Sequence, residues 1–339
     1  MSLLSGDDPA AIQAAAQRLA DCGLVALPTE TVYGLGARAD DDAAVAAIFA
    51  AKGRPPDHPL IVHVADWAQA LPFIDQDAAP LPAALSRLIH AFWPGPVTVI
   101  VARAHGMGSA AAAGLATIGL RCPAHPVALA VLRAAAALGV PGVAAPSANR
   151  FGRVSPTSAT HVQQEFGPGL WVLDGGDCAL GIESTIIDFS RGHPVLLRPG
   201  VLTPAALEVA MGVPLRTADA EAPRAPGTLA SHYAPAARLR LWPSDALSAR
   251  LAAPTLHAGE ILPARLAVYS RRAEDAGAAS ARAWARMPDD AQSAAHELFA
   301  VLRRFDADNA TEIWVAQPPD TPDWHGVTDR LRRAATPRN

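Results

Sequence analysis

The chain has 339 residues, half of them hydrophobic and 18% charged; this is about two domains at roughly 150 residues each, too apolar for disorder, with no run of the ~18 apolar residues a membrane span needs. The net charge is −4, split as −5 over residues 1–215 (12 basic, 17 acidic) and +1 over the rest (16 basic, 15 acidic), and without a basic run this excludes gripping nucleic acid by counterion release as the obvious function. Cys22, Cys122 and Cys178 are scattered and the N-terminus lacks a basic leader, so a disulfide framework, a cysteine zinc site and secretion are not expected, and a cytoplasmic location is.

In chain order, Asp8 and Pro9 read as the cap and first residue of a helix that Gly23 ends. LVAL at 24–27 reads as a buried strand stopped by Pro28, and a helix over about 41–51 stops at Lys52-Gly53-Arg54-Pro55. Further strands are expected at 59–64, 97–102, 117–121, 143–145, 170–173, 184–189 and 195–198, with helices at about 82–92, 126–138, 157–166 and 204–211. Such alternation predicts an α/β domain around a mixed sheet. Residues 214–237 are rich in Pro and Ala and read as a linker or ordered loop. After them LRLW, RLAVYS, a helix near 290–304, EIWVA and a helix near 324–335 predict a second, smaller α/β domain.

The sequence contains no GxxxxGK[ST], GxGxxG or HExxH, so a P-loop, a dinucleotide fold and a zincin helix have no support. What remains is a series of polar clusters at predicted strand ends, where α/β sheets bind ligands. Pro28 to Gly36 supplies Thr29, Glu30 and Thr31, although a plain strand-to-helix turn would also explain it. Lys52 and Arg54 suit either the negative end of a helix or a polyphosphate, with His58 and His63 following. Lys52 is the one Lys among 28 basic residues, which points to a need for a compact ammonium there. Ser147 and Asn149 follow a strand, whereas Ser155 can be read as the cap of the next helix. Glu183-Ser184-Thr185 opens a strand, and Arg121 and Arg198 each end one. Together these positions describe an anion pocket, with structural ion pairs the plain alternative for each Arg.

Read in order, PTETVYGLG, KGRP with PLIVHV, WPGPVT, GLATIGLRCPAHP, APSAN with SPT, GIESTIIDF and LLRPG resemble the threonylcarbamoyl-AMP synthase family, also called YrdC-like, over about residues 10–213. APGTLASHYAP and the C-terminal part resemble the family's long, two-domain form. The resemblance implies a YrdC-like twisted mixed sheet with flanking helices (1–213), a linker or lid (214–237) and a smaller C-terminal α/β domain of Rossmann-like type (238–339). It implies a nucleotidyltransferase that condenses L-threonine, bicarbonate and ATP, with Mg²⁺, into threonylcarbamoyl-adenylate and pyrophosphate. The product would pass to a tRNA threonylcarbamoyl transferase complex, with little direct nucleic-acid binding and no membrane involved.

Matching positions assign Thr31, His63, Arg121, the backbone at Ala145 and Ser184 to threonine. They assign Arg54, His58, Thr117, Ser147, Ser155 and Arg198 to ATP, and Lys52, Arg54, Ser147 and Asn149 to the catalytic tetrad KxR…SxN. No protein metal site is implied. His58 departs from the family's usual Asn. Ala230 replaces a Tyr that contacts nucleotide in some members, so His232 and Tyr233 become the linker's candidates. Two other readings compete: a YrdC-like RNA-binding or regulatory protein without turnover, and the YrdC-like module of a carbamoyltransferase. The intact tetrad opposes the first, and the three scattered cysteines, too few for zinc fingers, oppose the second.

Overall fold

The computed structural model describes residues 3–77, 81–252, 263, 265–272 and 283–337. It divides into two compact units, one of residues 1–151 and 155–228, the other of residues 152–154 and 229–339. The segment 214–237 is therefore shared: residues 214–228 go with the first unit and 229–237 with the second.

The first unit is built on strands β1 (Leu3–Ser5), β2 (Val25–Leu27), β3 (Gly34–Arg38), β4 (Ile61–His63), β5 (Val97–Ala102), β6 (Thr117–Arg121), β7 (Val143–Ala144), β8 (Trp171–Asp174), β9 (Thr185–Asp188), β10 (Val195–Arg198) and β11 (Arg216–Thr217). They form one sheet in the order β1-β8-β2-β3-β7-β4-β6-β5-β9-β10-β11. Parallel pairs such as β4 with β6 occur beside antiparallel ones such as β5 with β6, so the sheet is mixed as expected. Continuous apolar runs such as VTVIV are buried on both faces, because helices cover the sheet.

Those helices are α1 (Pro9–Ala20), α2 (Asp42–Lys52), α3 (Trp67–Ala70), α4 (Ala83–Phe92), α5 (Pro126–Ala137), α6 (Ala159–Phe166) and α7 (Pro204–Met211). Asp8 caps α1 by accepting from Ala10 N, and Asp41 caps α2 by accepting from Ala44 N. Gly53 closes α2 in the left-handed region at φ 63°, which releases the chain just beyond Lys52. One expectation needs correcting. Ser158, not Ser155, caps α6 by accepting from His161 N; Ser155 lies before the turn, with its hydroxyl engaged elsewhere. A second correction concerns PTETVYGLG. Its last part leads into no helix but into β3, which pairs antiparallel with β2, so it is not a strand-to-helix turn.

The second unit carries a parallel sheet, β12 (Arg238–Trp242), β15 (Glu312–Ala316), β13 (Leu266–Ser270) and β14 (Ala283–Arg286), in that spatial order. Its described helices are α8 (Ser244–Ala252), α9 (Ala291–Ala307) and α10 (His325–Ala335). An all-parallel sheet with helices agrees with the expected smaller α/β domain. Strand β14 and helix α8 escaped the sequence reading, because their few apolar residues show too little period to stand out.

Candidate active site

Strand register assembles the site. His63 ends β4 directly beside Arg121 at the end of β6, and Val97 at the start of β5 faces Thr185 at the start of β9. Cross-strand neighbours in register point to the same face, so His63 and Arg121 are adjacent. Burial, and after it the Arg121 guanidinium, holds His63 down to about 3. The ring is therefore neutral at physiological pH.

Arg121 reaches three partners at once. Its Nη1 donates to Thr31 Oγ1 at 2.8 Å, Nη2 to Glu30 Oε1 at 2.6 Å, and Nε to the Gly95 carbonyl at 3.2 Å. Thr31 Oγ1 also meets Thr29 Oγ1 at 2.8 Å. Thr31, His63 and Arg121 are thus brought together. The plain alternative for Arg121, a structural ion pair, is present as well, since Glu30 and Arg121 are both buried. The Ala145 N–H donates to the Ile61 carbonyl at 3.0 Å, which fixes the backbone beside β4.

Ser184 bridges Thr98 and Arg198. Its hydroxyl meets Thr98 Oγ1 at 2.8 Å, and its carbonyl accepts from Arg198 Nε at 3.1 Å and Nη2 at 2.9 Å. Arg198 Nη1 continues to the Pro226 carbonyl at 3.0 Å. A small cavity of about 10 Å³ lies alongside, lined by Pro59, Thr117, Gly119, Ile186, Arg224 and Pro226 among others. Here the first part of the 214–237 segment folds onto the sheet: Ala225 is buried with Ile61, Ile100 and Ile186. Thr117 lines this cavity, and Arg198 is tied to it through the Pro226 carbonyl.

The tetrad forms a compact knot. The buried Lys52 Nζ donates to the Ser147 carbonyl and, at 2.5 Å, to the Asn149 carbonyl, while Phe151 N donates back to the Lys52 carbonyl at 2.9 Å. Burial first, and then Arg54, pushes the Lys52 ammonium well below the usual lysine range. Arg54 donates to the Pro59 carbonyl at 2.9 Å, and its guanidinium lies 5.5 Å from the Phe151 ring. The His58 ring packs 5.4 Å from the same Phe151, and its pKa is lowered, by burial first and then by Arg54. Ser155 Oγ donates to Glu183 Oε1. Three residues with no assigned role in the sequence reading are therefore central to the geometry: Glu30, Thr98 and Glu183. Their signal was polarity at the end of a buried strand, which is costly unless every polar atom is paired.

His232 and Tyr233 belong to the second unit. Tyr233 sits at φ 60°, a left-handed conformation that is strained for a bulky residue, and its ring stacks on Phe299 at 5.6 Å with Arg330 5.2 Å from its centroid. The His232 ring meets Tyr233 edge-on at 4.2 Å. Among the described residues no group of three or more His, Cys, Asp or Glu side chains could hold a metal ion, and no helix is long and apolar enough to cross a membrane.

Comparison with known proteins adds to this geometry. Residues 17–200 match the Sua5, YciO and YrdC family described as "Telomere recombination", and residues 202–336 match the "Threonylcarbamoyl-AMP synthase, C-terminal domain". The threonylcarbamoyl-AMP synthase of Bacillus subtilis is 43% identical over 244 residues, 70% of this chain and 68% of the relative. That of Pyrococcus abyssi is 42% identical over 234 residues, 67% of this chain and 66% of the relative. Each alignment thus spans about two thirds of the relative's own length. The crystal structure of P. abyssi Sua5 complexed with L-threonine has a TM-score of 0.83 at 33% identity, covering 97% of this chain and 95% of that one.

Proposed function

This chain belongs to the threonylcarbamoyl-AMP synthase family, in its long two-domain form, and from that premise we propose how its residues divide the work of joining L-threonine, bicarbonate and ATP. The threonine nitrogen bonds to the bicarbonate carbon with loss of water. A carbamate oxygen then attacks the α-phosphorus in line, and pyrophosphate leaves. Charge grows on the equatorial and leaving oxygens, so preorganised cations and donors do most of the catalysis. No covalent protein nucleophile is needed.

Arg121, beside neutral His63 and Thr31, receives the threonine carboxylate; the Ala145 backbone and Ser184 complete that pocket. Arg54, His58, Thr117, Ser147, Ser155 and Arg198 of the first unit are assigned to ATP. Mg²⁺ enters with ATP as part of the substrate, since the cationic side chains here suit phosphate oxygens rather than a metal. The product is handed to a tRNA threonylcarbamoyl transferase complex. Three free cysteines, Cys22, Cys122 and Cys178, suit a reducing cytoplasm.

One observation carries this reading: the chain's single Lys is buried in a knot with Ser147 and Asn149, the loop that its role requires to be fixed. Pyrophosphate release tests the proposal. It is expected only when threonine, bicarbonate and ATP are all present, and release that ignores threonine would overturn the assignment.

A further inference from the structure

We infer that Glu30 is a positioning residue for substrate recognition: it sets the Arg121 guanidinium so that one N–H on each terminal nitrogen is left for the threonine carboxylate. The inference rests on the proposed role of Arg121. A guanidinium has five N–H groups. Arg121 commits three of them: Nε to Gly95 O, Nη1 to Thr31 Oγ1 and Nη2 to Glu30 Oε1. The remaining pair is the number a carboxylate accepts when it binds in the two-point manner that arginine favours.

Glu30 is itself held from other segments. Its Oε2 accepts from Ala124 N at 3.0 Å, ahead of α5, and its backbone carbonyl accepts from Leu180 N at 2.7 Å. Each carboxylate oxygen therefore faces a donor, one on Arg121 and one on Ala124. A carboxamide cannot reproduce this, because its single oxygen satisfies one donor while its NH₂ confronts the other. Aspartate keeps the charge but is a methylene shorter, so it cannot span the same two donors from the same backbone. Glu30 also offsets the Arg121 charge within a buried pair, which leaves the incoming carboxylate to be recognised by geometry as much as by net charge.

The test is steady-state kinetics on Glu30→Gln, Glu30→Asp, Arg121→Gln and the Glu30→Gln/Arg121→Gln double variant. Glu30→Gln is expected to raise the threonine KM by ~10–100-fold, the size of one charged hydrogen bond, and to leave the ATP KM within about two-fold. Glu30→Asp is expected to move the same parameter in the same direction. In the Arg121→Gln background, Glu30→Gln should change the threonine KM by no more than about two-fold, because a residue acting through Arg121 has nothing left to orient. A Glu30→Gln enzyme with lowered thermal stability but an unchanged threonine KM would overturn the inference, as would effects that multiply in the double variant. If Glu30→Gln does not fold, Glu30→Asp decides by the same criterion. An unchanged threonine KM in Arg121→Gln alone would instead remove the underlying assignment of the carboxylate site.

Discussion

Lys52→Arg preserves charge and changes only the shape of the head group, so it isolates what the single lysine does. The Lys52 side chain is buried and its Nζ touches the Ser147 and Asn149 carbonyls. A guanidinium brings two more heavy atoms and a plane into that space, and overpacking a filled site costs about 1–3 kcal/mol. For a unit of this size that is a fall in Tm of roughly 2–4 °C per kcal/mol. The larger effect is on rate. Because the ammonium fixes the Ser147–Asn149 loop directly, the new head group displaces it, and a shift of about 1 Å in a reacting constellation costs ~10² in rate. Loss of one preorganised donor costs ~10²–10³, or about 3–4 kcal/mol of transition-state stabilisation. The expected kcat/KM is therefore lower by two to three orders of magnitude, read as pyrophosphate release at saturating bicarbonate and corrected for the folded fraction by circular dichroism. Turnover within a few-fold of wild type, with or without a lower Tm, would refute the claim that a compact ammonium is required.

Two further outcomes follow from the geometry. His63 has a folded pKa of about 3 against an ordinary 6.5, so below pH 6.5 the unfolded state binds the extra proton; the stability is full above that pH and is lost as pH falls toward 3, by about 5 kcal/mol in all. His63→Gln should shift the acid-unfolding midpoint to lower pH in a far-UV dichroism titration, and an unchanged acid limb would refute it. Truncation after residue 228 should leave the first unit intact, whereas truncation after 213 removes β11, the Pro226 carbonyl that Arg198 grips, and the Ala225 cover over Ile61, Ile100 and Ile186. The charged hydrogen bond alone is worth ~2 kcal/mol, so the shorter fragment should melt roughly 4–8 °C lower; equal melting curves would show that residues 214–228 are a tether.

Sequence alone was enough for the alternating α/β order, because buried strands such as VTVIVA and capped helices such as the one after Asp8 carry strong local signals. It was also enough for the family, since polar groups stand at the ends of those strands in a characteristic order. Weak elements were illegible: β3 begins inside a Gly-rich polar stretch, and β1 and β11 are too short to show a period. Ser155 illustrates the limit on side chains. Its sequence context permits a cap, yet Ser158 occupies that position and the Ser155 hydroxyl turns to Glu183, far away in the chain. The same holds for Arg121. Its type and strand-end position mark it as an anion ligand, but only the register that brings β6 beside β4 and the Glu30 loop reveals which of its N–H groups are already spent. Periodicity and capping act over a few neighbouring residues and so are written locally. Buried charges must find partners wherever folding delivers them, and those partners are 90 and 91 residues from Arg121, at Thr31 and Glu30.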